Sequence, residues 1–262
     1  MKSRPVQFIK LAVTIGCFAA ISLGCKKAPG GESMSNASST RTSGTVPSDV
    51  TNSADGNHAT PTTLTVNALP KELKGPAYSY YGLAGKSLAF QLDNRSQKIN
   101  SAGSSQAVLT KVGPTSALFT IQRSGNFGDM FGNDMVRLRT NGVYDLGNSL
   151  GTLKAPVLDL PNDLHKGKTW SRNMVLTTAK GVVREHLTNK VIGKKQLSTS
   201  MGPMNVLLVE GRGTVALGKV RATTISKTYY AKGLGMVFYE ETLKPKGKKA
   251  VTIFIRLASK GE

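Results

Sequence analysis

Cysteine is almost missing from this chain. Two occur in 262 residues, Cys17 and Cys25, and both lie near the start. The folded part therefore holds no disulfide, and a packed core must stabilise it. Long apolar runs are missing too. The uncharged run Leu11–Gly24, as a helix, spans about 21 Å, short of the ~30 Å hydrocarbon core of a bilayer. Histidine is scarce: His58, His165 and His186 are the three. There is no HExxH, CxxC, G-x-S-x-G or P-loop, so no catalytic residue, metal site or cofactor is assigned and a non-enzyme is expected. Acidic residues are few, 15 against 35 basic ones, which leaves a net charge of +20.

What is present begins with Lys2, Arg4 and Lys10, then the short apolar run, then small residues before Cys25. That order predicts a secretory signal peptide over residues 1–24. Ser22, Leu23 and Gly24 resemble the lipobox of bacterial lipoproteins, with Ser22 where that motif prefers Leu. The resemblance implies cleavage before Cys25 and lipidation of its thiol. The alternative is an ordinary signal peptide that leaves the thiol free. Cys17 sits inside the apolar run and leaves with the signal. Residues 25–61 are rich in Ser, Thr, Gly and Asn and cannot bury enough apolar surface to order themselves, so a flexible tether is expected. Its span is roughly 30–36 Å. His58 falls in it as a solvated residue. Lys26 stands where Asp would suggest inner-membrane retention, so the outer membrane is favoured.

Residues 62–262 suit a single domain. SLAFQLD, AVLTKV, ALFTIQ and MVRLRT are short β-type runs, and Asn141-Gly142 is a two-residue hairpin signal. Later strands are predicted at Thr169–Thr178, Val182–Val191, Gln196–Thr199, Met204–Gly211, Lys219–Tyr230, Met236–Leu243 and Ala250–Leu257. Helical periodicity is weak; the one candidate is Leu69–Lys74. Val251, Ile253, Ile255 and Leu257 share one face of the last strand. The pattern is a mostly β antiparallel meander with little helix.

Three pieces resemble a family of bacterial envelope domains. LPNDLHKGKTW (Leu160–Trp170) is similar to its leucine-proline entry into a Trp-led strand. SMGPMNVLLVEG (Ser200–Gly211) is similar to its glycine hairpin, and TYYAKGLGMVFYEE (Thr228–Glu241) to its tyrosine strand and Gly-x-Gly turn. The lipoprotein carrier and receptor of the Lol system share this plan. The resemblance covers residues 160–257 and implies an envelope location and a sheet curled into a partial (half) barrel.

Trp170 reads as a core residue, and Gly233 and Gly235 as a tight turn rather than a nucleotide loop. His186, mid-strand, reads as a surface residue. Glu185 shares a face with Val183, Leu187 and Val191, which fits either an edge strand or a polar group at an apolar cavity mouth. Within Ser124–Met135, the oxygens of Asn126, Asp129, Asn133 and Asp134 suit a plain loop, or a Ca²⁺ loop without EF-hand spacing. In the same stretch Phe127, Met130 and Phe131 suggest an apolar lip.

Residues 69–262 hold 29 basic and 12 acidic residues, so the charge is no tail effect. Alternating the predicted turns puts Lys166, Lys168, Lys194, Lys195, Arg212, Lys219, Lys244, Lys246, Lys248 and Lys249 at one end, against Lys180 and Lys232 at the other. Such a basic rim would attract anionic lipid, lipopolysaccharide or acidic cell-wall polymer, or simply keep the protein soluble. Nucleic acid does not fit, because no aromatic residues interleave with the basic ones. Two functions are expected from this: non-catalytic binding of an apolar or amphiphilic ligand, or assembly with another envelope protein through an exposed sheet edge. Intact-mass analysis of detergent-extracted protein is expected to show a diacylglyceryl mass on Cys25 of the mature chain. Cys25→Ser should remove that mass and release the protein from the membrane fraction. A bare Cys25 on the wild-type chain overturns the assignment.

Overall fold

A computed structural model describes residues 64–94 and 99–260. The signal peptide, Cys25, the tether and His58 lie outside the described residues. Two single 3₁₀ turns, Val66–Ala68 and Lys71–Leu73, lead into the short helix α1 (Pro76–Tyr81). Strands β1 (Ser87–Asn94), β2 (Ile99–Val112) and β3 (Ser116–Gly125) follow, then helix α2 (Asn126–Phe131). The rest is strand: β4 (Asp134–Arg139), β5 (Gly142–Asn148), β6 (Gly151–Pro161), β7 (Thr169–Thr178), β8 (Gly181–Thr199), β9 (Gly202–Leu217), β10 (Val220–Ala231), β11 (Gly235–Pro245) and β12 (Val251–Lys260).

Each strand pairs antiparallel with its sequence neighbours, and β1 also pairs with β12, Leu92 opposite Ile255. The sheet is therefore a closed twelve-stranded barrel, mostly β as expected but not the expected half-barrel. The resemblance at residues 160–257 covered only β7 to β12 and part of β6. The strands before it continue the same sheet and complete the circle.

A second correction concerns β8. Gly193-Lys194-Lys195 reads as a turn, but the chain runs straight through it. Gly193 (φ 133°) sits at a register shift beside Val191, a bulge that absorbs one residue without reversing direction. The extended β8–β9 hairpin then reaches past β10 and β11. At its tip the Ser200 hydroxyl donates to the Ala258 carbonyl of β12 at 2.9 Å.

Buried side chains form two apolar clusters. At the α1 end, Leu69, Leu73, Ala77 and Leu83 are buried against Phe119, Leu138, Leu160 and Trp170. This segment is a stopper, and each fully buried leucine contributes about 1.5–3 kcal/mol. Helix α1 starts at Pro76, whose missing N–H costs nothing there, and the Asn162 side chain caps it from the β6–β7 loop by accepting from the Ala77 N–H at 2.9 Å. It stops at Gly82 (φ 80°), where a Cβ would lie 2.5 Å from the Leu234 carbonyl oxygen. At the other end, Phe127, Met130 and Phe131 of α2 pack inward on Phe90, Leu92 and Ile255. Thus Leu69–Lys74 contains only a single 3₁₀ turn, and the two α-helices among the described residues are six-residue plugs.

Gly213 lies opposite Leu187 of β8, and a Cβ there would stand 1.8 Å from the His186 carbonyl oxygen. Gly213→Ala is expected to destabilise the barrel by about 1–3 kcal/mol through forced displacement of the wall. Urea denaturation should show a lower midpoint with an unchanged slope; an unchanged midpoint would mean that the wall gives freely.

Candidate functional site

Between the two apolar ends lies a belt of charge. Along β7 the inward parity runs Trp170, Arg172, Met174 and Leu176, and this alternation carries a guanidinium into the barrel. Arg172 meets three carboxylates from three strands. Its Nη2 donates to Asp145 Oδ2 at 3.0 Å, its Nη1 donates to Glu185, and its Nε stands 3.2 Å from Asp159 Oδ1, close enough for attraction but not aligned for a hydrogen bond. The Tyr81 hydroxyl at the end of α1 donates to Asp159 Oδ2 at 2.7 Å, and the Gly147 N–H donates to Asp145 Oδ1 at 2.8 Å. Nearby Arg123 pairs with Asp134 and donates to the Gly132 carbonyl.

The cluster sits at a gap in the wall. Strands β6 and β7 pair only at Gly151–Thr178, Thr152–Thr177 and Leu153–Leu176, then splay apart towards the 162–168 loop. Every other neighbouring pair runs further. Across the gap, the approach of Asp159 on β6 to Arg172 on β7 stands in for missing backbone bonds.

The electrostatics follow from burial. Burial opposes the charge on Arg172, but Asp159 and Asp145 outweigh it and hold the guanidinium firmly protonated. Burial raises the Asp145 pKa, with Arg172 pulling the other way. Burial likewise raises Glu241, although Thr224 donates to its Oε1 at 2.8 Å. The phenols of Tyr81, Tyr230 and Tyr239 are pushed upward by burial first and by neighbouring carboxylates second.

A cavity of about 190 Å³ runs beside this belt. Ionic side chains line its middle, with Phe90, Phe127, Phe131 and Leu176 towards the α2 end and Trp170 and Tyr230 towards the α1 end. On the outer wall at the α2 end lies a separate groove bordered by Arg184, Arg221, Lys244, Lys246, Lys248 and Lys249.

The residues singled out in the sequence are distributed as follows. Lys166, Lys168, Lys194 and Lys195 belong to the α1 end, with Lys232; Lys219, Lys244, Lys246, Lys248 and Lys249 belong to the α2 end, with Lys180. The expected single rim is corrected to two groups, because the false turn at Gly193 inverted the end assigned to everything after it. Arg212 is exposed in mid-strand, beside Glu210. At the α1 rim, Asp163 contacts Lys168 and His165 and is held down at about 2.

The expected apolar lip is also corrected: Phe127, Met130 and Phe131 are each 3% exposed and face inward, because the stretch is helical and its apolar face closes the barrel. In the same stretch, Asn133 Oδ1 accepts from the Arg123 N–H and Asp134 is paired with Arg123, so these oxygens are already engaged. His186 is exposed and meets Asn173. Glu185 points into the cavity, the second of its two sequence readings. Asp145, Asp159 and Arg172 were not singled out. Their signal is charge at inward parity: Arg172 interrupts Trp170, Met174 and Leu176.

No protein-family profile and no curated protein sequence matches the chain. Among solved structures it is similar to a protein assigned as exported, with a YmcC-like fold, from Bacteroides fragilis. The identity is 10%, 71% of this chain and 100% of that one are covered, and the TM-score is 0.51. A protein assigned as a lipoprotein from Parabacteroides distasonis matches at 10% identity, over 70% of this chain and 98% of its own, with a TM-score of 0.48. The hypothetical lipoprotein YmcC of Escherichia coli matches at 8% identity, over 68% and 85%, with a TM-score of 0.34. The first of these establishes a shared fold and nothing about activity.

Asp145 and Glu241 titrate above ordinary carboxylate values, so the folded barrel keeps protons that the unfolded chain releases near pH 4. Their contribution is full below about pH 4 and is lost as pH rises through the raised values. Arg172→Met is expected to cost about 3–5 kcal/mol at pH 7.5, because it strands buried carboxylates. The cost should be smaller at pH 5, because lower pH favours the protonated form of Asp145, which burial already promotes. Denaturation curves at both pH values check this, and equal losses would count against it.

Proposed function

We propose that this chain is a lipid-anchored protein of the bacterial envelope that binds a small apolar or amphiphilic ligand inside its barrel and performs no catalysis. Cys25 is the anchor in this reading, the tether sets the domain off from the bilayer, and the outer membrane is the favoured location. The cavity carries the proposal, because apolar and ionic side chains line it together. A cavity of about 190 Å³ exceeds the roughly 150 Å³ that accepts benzene in an engineered protein core. A ring-sized or short-chain ligand therefore fits. A polar head would lie at the Arg172 belt and an apolar body against Phe90, Phe127 and Phe131.

The basic groove of Arg184, Arg221 and Lys244–Lys249 supports a second part of the reading, attraction of the domain to an anionic envelope surface such as lipid headgroups or lipopolysaccharide phosphates. Assembly by strand addition is disfavoured. Closure leaves no free sheet edge among the described residues except the β6–β7 gap, and ionic side chains bridge that gap. Protein released gently from envelope membranes should carry a bound small molecule in native mass spectrometry, lost on denaturation. A ligand-free mass from repeated gentle preparations would sink the proposal.

A further inference from the structure

The cavity ligand can be narrowed by charge, on the assumption that the cavity does bind an amphiphile. Three carboxylates, Asp145, Asp159 and Glu185, converge on the single guanidinium of Arg172, and Arg123 is spent on Asp134. With all three ionised, the Arg172 cluster carries a net charge of about −2, in a chain whose total is +20. Acidic groups thus outnumber basic ones on the cavity lining, whereas basic ones outnumber acidic ones in the chain as a whole. The other charge on the cavity lining is Lys86, exposed at the start of β1.

The lining around the carboxylates is aromatic as well as acidic. Tyr81, Tyr230, Tyr239 and Trp170 all border the same space. Aromatic faces beside carboxylates are the combination that attracts an ammonium group, through ring quadrupole and charge together. A further sign of a missing partner is Trp170 itself. It is 9% exposed, it lines the cavity, and its indole Nε1 has no hydrogen-bond partner among the described residues. An unpaired buried donor costs free energy that a ligand oxygen would recover. Buried acid, aromatic rings and an unused donor therefore share one cavity, whose remaining lining mixes Phe127, Phe131, Leu176 and Met236 with Ser105, Asn189, Ser226 and Thr228.

We propose that the barrel cavity is a binding site for a small organic cation, an ammonium group on an apolar body, with the ammonium at Asp145, Asp159 and Glu185. The apolar body lies towards Phe127 and Phe131, and a hydrogen-bond acceptor on the ligand meets the Trp170 indole. The β6–β7 gap, where Asp159 faces Arg172, opens beside the same carboxylates.

Trp170 is the sole tryptophan in the chain, so its fluorescence reports on the cavity directly. The mature protein would be titrated with three probes of similar size: 2-phenylethylammonium, 2-phenylethanol and 3-phenylpropanoate. The expected result is a saturable change with the ammonium at a concentration at least ten-fold lower than with either other probe. Asp159→Asn should weaken the ammonium at least five-fold and leave the alcohol unchanged. Glu185→Gln serves the same purpose should the first variant fail to fold. If the alcohol or the carboxylate binds as tightly as the ammonium, the cation assignment is overturned while the ligand-binding cavity stands. If none of the three binds saturably, the cation assignment falls and so does the cavity reading for ring-sized ligands.

Discussion

Twelve strands enclose more space than strand side chains alone can fill. Small barrels of about eight strands pack solid, whereas wider ones must be plugged or left hollow. Most features of this molecule answer to that constraint. Helix α1 and the leucines before it stop one end, and helix α2 with its two phenylalanines stops the other. What remains in the middle is the cavity and its ionic belt. The belt also holds the wall together where backbone pairing fails, since Arg172 reaches Asp145 on β5 and Asp159 on β6 across the weak β6–β7 contact.

The same belt explains how one cluster serves two demands. A buried charge must be paired, and a guanidinium with five N–H donors can satisfy several carboxylates at once. Tyr81 ties the stopper to the belt through Asp159, so plug, wall and cavity lining meet at one hydrogen-bonded group. A surplus of acid stays behind because three carboxylates outnumber one arginine. That surplus places more acidic than basic groups around Arg172 in a chain whose total charge is positive.

Much of the architecture was legible in the residues. The strand Thr169–Thr178 stands as read, as does the turn at Asn141, and the last strand buries Ile253, Ile255 and Leu257 as its alternation requires. Closure was not legible, because the pairing of β1 with β12 leaves no local mark in either strand. The bulge at Gly193 was mistaken for a turn, since glycine with positive φ serves both. Lysines after that point were therefore assigned to the wrong end. Phe127 and Phe131 looked like a surface lip because Gly, Asn and Asp around them read as loop. The ionic belt went unread except at Glu185, where a charge among inward-facing aliphatic residues was noticed; Arg172 interrupts its strand in the same way.

The meeting of the first and last strands also governs how the chain reaches its native state. Leu88 of β1 lies opposite Lys260 of β12, so this contact joins the first and last strands of the barrel. Local hairpins can zip in sequence, but the final seam demands that nearly the whole domain be ordered first, and such non-local pairing is slow. Until β12 arrives, the outer edge of β1 remains a template for any other extended chain. The time spent in that open-edged state, rather than the stability of the finished barrel, then sets how much protein is lost to aggregation on the way.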